Sequence, residues 1–219
     1  ASNKFYARAP RLRMSAEMIR DNALTISGLL STKMHGPPIY PPQPGGIWRH
    51  VGRNAPKFNV ATNEDRFRRG VYVVWRRSAP YASFVNFDAP DRSACVVKRS
   101  RTNTPLQALT LMNDEAYVEM SLAFAGRILT EIKSDPEARI RYAYKTAFAR
   151  TPRPVETTYL KALLLKRHAF FDKNPKAAQT LIASAKGWKA PAGMDANELA
   201  AWFYLTNILM NLDEAITKG

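Results

Sequence analysis

Lys98, Arg99 and Arg101 run directly into Thr102, Asn103, Thr104 and Pro105. Cations and hydroxyls set just ahead of a proline that suits the first helical position are residues for holding an anion. Guanidinium forks match a carboxylate, sulfate or phosphate, and a helix start adds free N–H groups and the positive end of its dipole. The same residues have an architectural reading, in which Thr104 only caps the helix and Asn103 only makes a turn. Asp88 and Asp91 flank Pro90. They read as turn carboxylates that accept backbone N–H bonds, not as an acid–base pair. Either could fold back into the place of an external anion, with Arg76 and Arg77 as further partners. The segment would then be a clamp joining turn to helix.

Other chemistries find less support. His35, His50 and His168 are far apart, and no carboxylate stands at metal-pair spacing from them, so no metal site is expected. Cys95 is the single cysteine. It excludes a disulfide within the chain and leaves no CxxC or CxxCH, and between Ala94 and Val96 it reads as a small buried hydrophobe. Glycine signatures for dinucleotides, for nucleotide phosphates and for a nucleophilic serine are missing. Asn207 and Asn211, four apart, read as structural. No catalytic residue and no cofactor is assigned to the chain.

The cationic residues belong to a longer segment, Arg66 to Asn113. The 219 residues carry 33 basic and 18 acidic side chains, a net charge of +15. Residues 49–101 alone hold 12 basic and 4 acidic residues, so more than half of the excess falls in about a quarter of the chain. Ten of the twelve are Arg, and Phe58, Phe67, Tyr72, Trp75, Tyr81, Phe84 and Phe87 lie among them. These arginines either pair with Glu64, Asp65, Asp88, Asp91 or an absent partner domain, or they form an anion-binding face. The pI near 10.1 also suggests nucleic acid. Nucleic acid is not the expected partner, because the basic residues follow no RNP, KH or helix-turn-helix pattern.

The elements that must position these residues are mostly helices. A hydrophobic content of 46% excludes a disordered chain. No apolar run, Val71 to Trp75 included, approaches the length of a transmembrane helix. Leu12, Ala16, Ile19, Ala23, Ile26 and Leu30 keep helical period, which predicts a helix over 11–30 with Arg13, Glu17 and Arg20 at ion-pair spacing. Residues 36–46, with five Pro and three Gly, exclude helix and central strand. They read either as a rigid connector pinned by Ile39, Tyr40 and Trp48 or as a docking motif for an SH3-like domain. An irregular loop follows over 47–65. Residues 66–77 fit strand or helix, with propensity leaning to a short strand.

Thr104-Pro105-Leu106-Gln107 is a capping box opening a helix to about 112. Further helices are expected from Asp114 to about 133, Asp135 to 148, Pro154 to about 171 and Asn174 to about 186. After a loop from Gly187 to Gly193, a last one runs from Asp195 to Ile216. The expected fold is mainly α, a single domain over 1–219 of about six to eight helices. It has an irregular Arg- and aromatic-rich part over 11–104, at most a short strand or hairpin near 70–98, and a helical part over 105–219.

Three stretches together carry a resemblance: RLRMSAEMIRDNALTISGLL with GPPIYPPQPGGIW, then Arg66 to Asp114, then NILMNLDEAITKG. They resemble the planctomycete surface domain family, the C-terminal domain of large secreted proteins of Planctomycetes and Verrucomicrobia. The resemblance implies a periplasmic, cell-surface or extracellular location. It also implies a domain of unknown function at the C-terminal end of a longer polypeptide, whose missing part would carry c-type haem. The start ASNKFYARAP, without Met or an apolar signal core, reads as a fragment or processed chain. Other domains or chains of that parent protein are the expected partners. The function expected is a non-enzymatic module binding anionic extracellular polysaccharide. The alternative is a part of a haem-linked oxidoreductase acting on a carbohydrate-like substrate.

Overall fold

The computed structural model describes residue 5, residues 11–50 and residues 57–218. Residues 51–56 of the expected loop, and the N-terminal ASNKFYARAP apart from Phe5, lie outside the described residues. Nine α-helices occur among those described: α1 Ala16–Ser27, α2 Ala82–Asn86, α3 Pro105–Asn113, α4 Glu115–Glu131, α5 Pro136–Phe148, α6 Pro154–Lys173, α7 Pro175–Ala183, α8 Ala196–Asn211 and α9 Asp213–Ile216. The seven expected helices are all present, and the short α2 and α9 are additional. Two-residue strands, β1 at Leu12–Arg13 and β2 at Thr217–Lys218, pair antiparallel, with Leu12 opposite Lys218 and Arg13 opposite Thr217.

Side-chain oxygens decide where the helices start. Asp114 accepts the Ala116 N–H at 2.9 Å, Asp135 the Glu137 and Ala138 N–H groups, and Asp195 the Glu198 N–H at 2.7 Å. Each satisfies donors that have no partner within the helix. The first helix is shorter than its apolar period suggests. Ser15 caps it, residues 12–13 are drawn into the pairing with β2, and Gly28 at φ 77° ends it. The last apolar run breaks at Leu212, whose extended backbone caps α8 and precedes α9.

α4 lies at the centre, with Leu122, Phe124, Ala125 and Ile128 fully buried. α1 and α8 pack against it, and α6 and α7 cover α8 from the other side. Phe171, Ala178, Ala200 and Ala201 form a small second cluster there. Asn207 fits its structural reading, reaching the Leu111 and Met112 carbonyls and Ser121 Oγ at 3.4 Å.

The region between α1 and α3 differs from expectation. Residues 66–77 form no strand: two 3-10 turns, Glu64–Phe67 and Gly70–Tyr72, stand there. Among the described residues the segment's backbone pairing is limited to isolated parallel bridges, Ser31 with Arg68 and Ile39 with Val73. The reason lies in the arginines. Arg66 and Arg68 are buried, and their guanidinium groups take backbone carbonyls that a strand ladder would otherwise pair. Arg68 donates to the His35 and Pro37 carbonyls and lies over the Tyr72 ring. The proline-rich stretch is thereby held against the core. Ile39 donates its N–H to the Tyr72 carbonyl at 2.8 Å, and Tyr40, Trp48 and Phe58 meet edge to face.

Three further expectations are corrected. Arg13, Glu17 and Arg20 do not pair along α1, because each is claimed by another element. Arg20 is buried and donates to the Arg66 carbonyl at 2.7 Å, Glu17 meets Arg99, and Arg13 meets Gln107. The capping box at α3 is half formed: Thr104 accepts the Gln107 N–H, while the Gln107 side chain points to Arg13 and Thr102. Cys95 is exposed, because the loop that carries it lies on the surface.

A buried ion pair joins the irregular segment to α4. Arg66 Nε donates to Glu119 Oε2 at 2.7 Å, with side chains 3% and 1% exposed. Glu119 Oε1 accepts the N–H groups of Gly187 and Trp188 at 2.5 and 3.1 Å. Residue 187 must therefore be glycine: a β-carbon there would overlap Arg66 Cδ and Nε and stand 3.0 Å from Glu119 Oε1. Gly187→Ala should cost about 2–4 kcal/mol, combining overpacking with damage to a buried pair. Gly45→Ala, where nothing lies within 4 Å, should change stability by less than about 0.5 kcal/mol. Urea unfolding of the two variants checks this, and equal midpoints would contradict it.

Candidate functional site

A cleft of about 250 Å³ opens where the β1–α1 junction, the end of α2 and the loop before α3 meet. Arg13, Met14, Ser15 and Ala16 form one wall. Phe87 and Asp88 come from α2 and the turn after it, and residues 97–101 with Gln107 complete the lining. Arg13, Lys98, Arg99 and Arg101 face a single carboxylate, Asp88, among the lining residues, so the cleft is electropositive.

A chain of hydrogen bonds fixes the shape of this cleft. Arg13 Nη2 donates to Gln107 Oε1 at 2.5 Å. Gln107 Nε2 donates to Thr102 Oγ1 at 3.0 Å. The Thr102 hydroxyl and N–H donate to the Asp88 carboxylate at 2.9 and 2.7 Å. Gln107 is buried, so its two polar atoms need these partners. Asp88 sits at φ 61°, a left-handed backbone that Asp tolerates better than most residues. The loop bearing Lys98 to Arg101 is thus tied to β1, to α3 and to the end of α2.

Arg99 is engaged internally. Its Nη1 lies 2.8 Å from Glu17 Oε2 and 3.1 Å from Oε1. Burial opposes the charged form of Glu17, but the Arg99 bond and local hydrogen bonds outweigh it and hold the carboxyl below its usual range. Lys98 and Arg101 are exposed and have no ion-pair partner among the described residues.

The candidate residues therefore divide. Lys98, Arg99 and Arg101 line the cleft, Thr102 is occupied by Asp88, and Asn103 and Thr104 lie outside the lining. The α3 start holds its own Thr104 cap and is not where the cations gather. Asp91 does not join Asp88. It accepts the Ser93 N–H at 2.9 Å, which holds its carboxyl below the usual value. Arg76 lies over the Trp48 ring with 5.0 Å to its centroid, and Arg77 is exposed, so neither enters the Asp88–Thr102 contact. Sequence reading missed Arg13, Ser15 and Gln107 as wall residues. The available signal was a pair of long polar side chains, Arg13 and Gln107, beside otherwise apolar inward positions. Among the described residues no group of three or more His, Cys, Asp or Glu could hold a metal ion, and no helix is long and apolar enough to cross a membrane.

A mainly helical domain with an irregular, arginine-braced region and a basic cleft is the class that fold and site define. The family described as PSD1, a protein of unknown function (DUF1553), matches residues 1–164, and the chain belongs to that family. The description fits the planctomycete-type domain of unknown function that the sequence resembles, and it carries no activity. The matched span takes in the whole cleft and ends within α6. No curated protein and no solved structure matches.

The bond from Asp88 to Thr102 should hold the cationic loop in place. Asp88→Ala removes two acceptors and leaves a β-carbon at positive φ, so a loss of about 1–2 kcal/mol is expected. Asp88→Asn, which keeps one acceptor and suits that backbone, should lose less. Thermal melts of the two variants test this, and equal or reversed losses would contradict it.

Proposed function

We propose that this chain is a non-enzymatic binding module whose cleft takes an anionic group of an extracellular polysaccharide, a sulfate or a uronate carboxylate. The observation that carries the proposal is the position of Lys98 and Arg101, without ion-pair partners among the described residues, on the wall of a cleft that also contains Arg13 and Arg99. Charge-assisted hydrogen bonds from such groups are the stronger kind, and a partly enclosed cleft weakens them less than open water does. Ser100 adds a hydroxyl that suits sugar oxygens. The location outside the cytoplasm and the company of a c-type cytochrome domain follow from the family resemblance and belong to the proposal. The oxidoreductase alternative rests on that same resemblance, with no further observation in its favour.

Net charge alone will draw any polyanion to this protein, so the test is dependence on the site. Short sulfated and uronate oligosaccharides should bind the native chain. The Lys98→Ala/Arg101→Ala variant should bind about tenfold or more weakly with an unchanged melting temperature. Neutral dextran oligosaccharides should not bind. Equal binding by the double variant would overturn the proposal.

A further inference from the structure

A second depression, about 450 Å³, opens at the far end of α1, where Ser27 and Gly28 meet α4 and the loop before α8. Trp188 is the aromatic residue of its lining. The side chain is half-buried and is fixed from two directions. The Trp188 backbone N–H donates to Glu119 Oε1 at 3.1 Å, and the ring lies against Gly126 of α4. A β-carbon at position 126 would stand 2.6 Å from Trp188 Cζ2, so the close seat of the ring depends on that glycine. The indole N–H has no acceptor among the described residues and is not closed off from solvent. The ring therefore offers the depression both apolar surface and an unused donor.

The polar groups of the same lining are held in place by their neighbours. Arg127 donates from Nε to Glu131 Oε1 at 2.8 Å and from Nη1 to the Ile26 carbonyl at 3.1 Å. The Tyr142 hydroxyl donates to the other oxygen of Glu131. These two bonds hold the Glu131 carboxyl below its usual range, so it is charged and oriented at neutral pH. Each carboxylate oxygen accepts more than one hydrogen bond, and Glu131 is exposed, so both keep room for a hydroxyl donor. Thr130 donates to the Gly126 carbonyl at 2.8 Å and keeps an acceptor free. Arg127 and Glu131 cancel in charge, so the depression favours neither anions nor cations. The ligand that suits it is uncharged, rich in hydroxyls, and flat and apolar on one side. A pyranose is such a molecule: its ring C–H groups suit the negative face of the indole, and its hydroxyls suit a fixed carboxylate. We propose that Trp188 and Glu131 form a subsite for a neutral, equatorially linked pyranose, the sugar ring stacked on the indole and its hydroxyls bonded to the carboxylate. The subsite shares no residue with the cleft and lies the length of α1 from it, about 18 Å, so the two stand or fall separately.

Cellohexaose, a neutral chain whose links keep its rings in a flat ribbon, serves as the probe. It is titrated into the isotope-labelled whole chain, and the indole N–H resonances of the tryptophans are followed. The Trp188 resonance, identified by its loss in Trp188→Phe, should move saturably with a Kd of about 1 mM. Glu131→Ala should weaken binding about tenfold or more with unchanged circular dichroism, because an exposed ion pair adds little stability. Trp188→Ala should abolish binding, and Glu131→Ala decides alone if that variant does not fold. Lys98→Ala/Arg101→Ala should bind cellohexaose like the native chain, and Glu131→Ala should bind sulfated oligosaccharides like the native chain, so failure at either site is read by itself. The proposal is overturned if cellohexaose at about 10 mM leaves the Trp188 resonance unmoved, or if Glu131→Ala binds it like the native chain. It is also overturned if dextran oligosaccharides, whose links do not hold the rings in a ribbon, bind equally well. A proline-rich peptide that moves the Trp188 resonance where cellohexaose does not would assign the depression to peptide binding and overturn it.

Discussion

The pair formed by Arg66 and Glu119 is the contact on which the rest of this structure depends. Both side chains are almost wholly out of water, at 3% and 1% exposure. Such a pair is tolerable only if the remaining polar atoms of both groups are satisfied, and loss of one member leaves a stranded charge costing about 3–5 kcal/mol. Satisfaction comes from separate parts of the chain. Ala61 and Glu115 accept from the guanidinium, Gly187 and Trp188 donate to the carboxylate, and Arg20 donates to the Arg66 carbonyl. α1, the irregular segment, α4 and the loop before α8 therefore meet at one point. Arginine forks do there what a strand ladder does in other folds, and Arg68 repeats the device against His35 and Pro37.

This division of labour bears on function. The arginine excess of residues 49–101 is not one surface. Arg66 and Arg68 are interior braces, while Arg76 and Arg92 lie over the rings of Trp48 and Trp75. Arg99 is neutralised by Glu17. On the cleft itself, Lys98 and Arg101 remain for a ligand, backed by Arg13. Internal pairing thus holds for Arg66, Arg68 and Arg99, and the proposed anion site is left to other residues. Most of the internal partners are Glu17, Glu115 and Glu119, carried by α1 and α4 and distant in sequence from the arginines they meet.

The helical half was legible because its signals are local. Asp114, Asp135 and Asp195 announce helix starts through side chains that bond two or three residues on. The irregular half was not, because its stabilising contacts are remote. Nothing near Arg66 in sequence names Glu119 as its partner, and Val71 to Val74 look like a strand to any scale based on propensity. Gln107 shows the same limit at the cleft. The local pattern assigned it to a capping box, and burial next to Arg13 reassigned its side chain. Lys98, Arg99 and Arg101 were legible as cations, but their meeting with the β1–α1 junction depends on a fold that no local spacing encodes.

Hydrogen exchange read by mass spectrometry on Glu119→Gln tests the central role of the buried pair most directly. The substitution keeps shape and removes charge. If the pair joins the irregular segment to the helices, protection should fall together at residues 36–42, 61–74 and 185–190, while α6, α7 and α8 keep native protection. A change confined to the turn of α4 around residue 119, or one spread evenly over the chain, would contradict it.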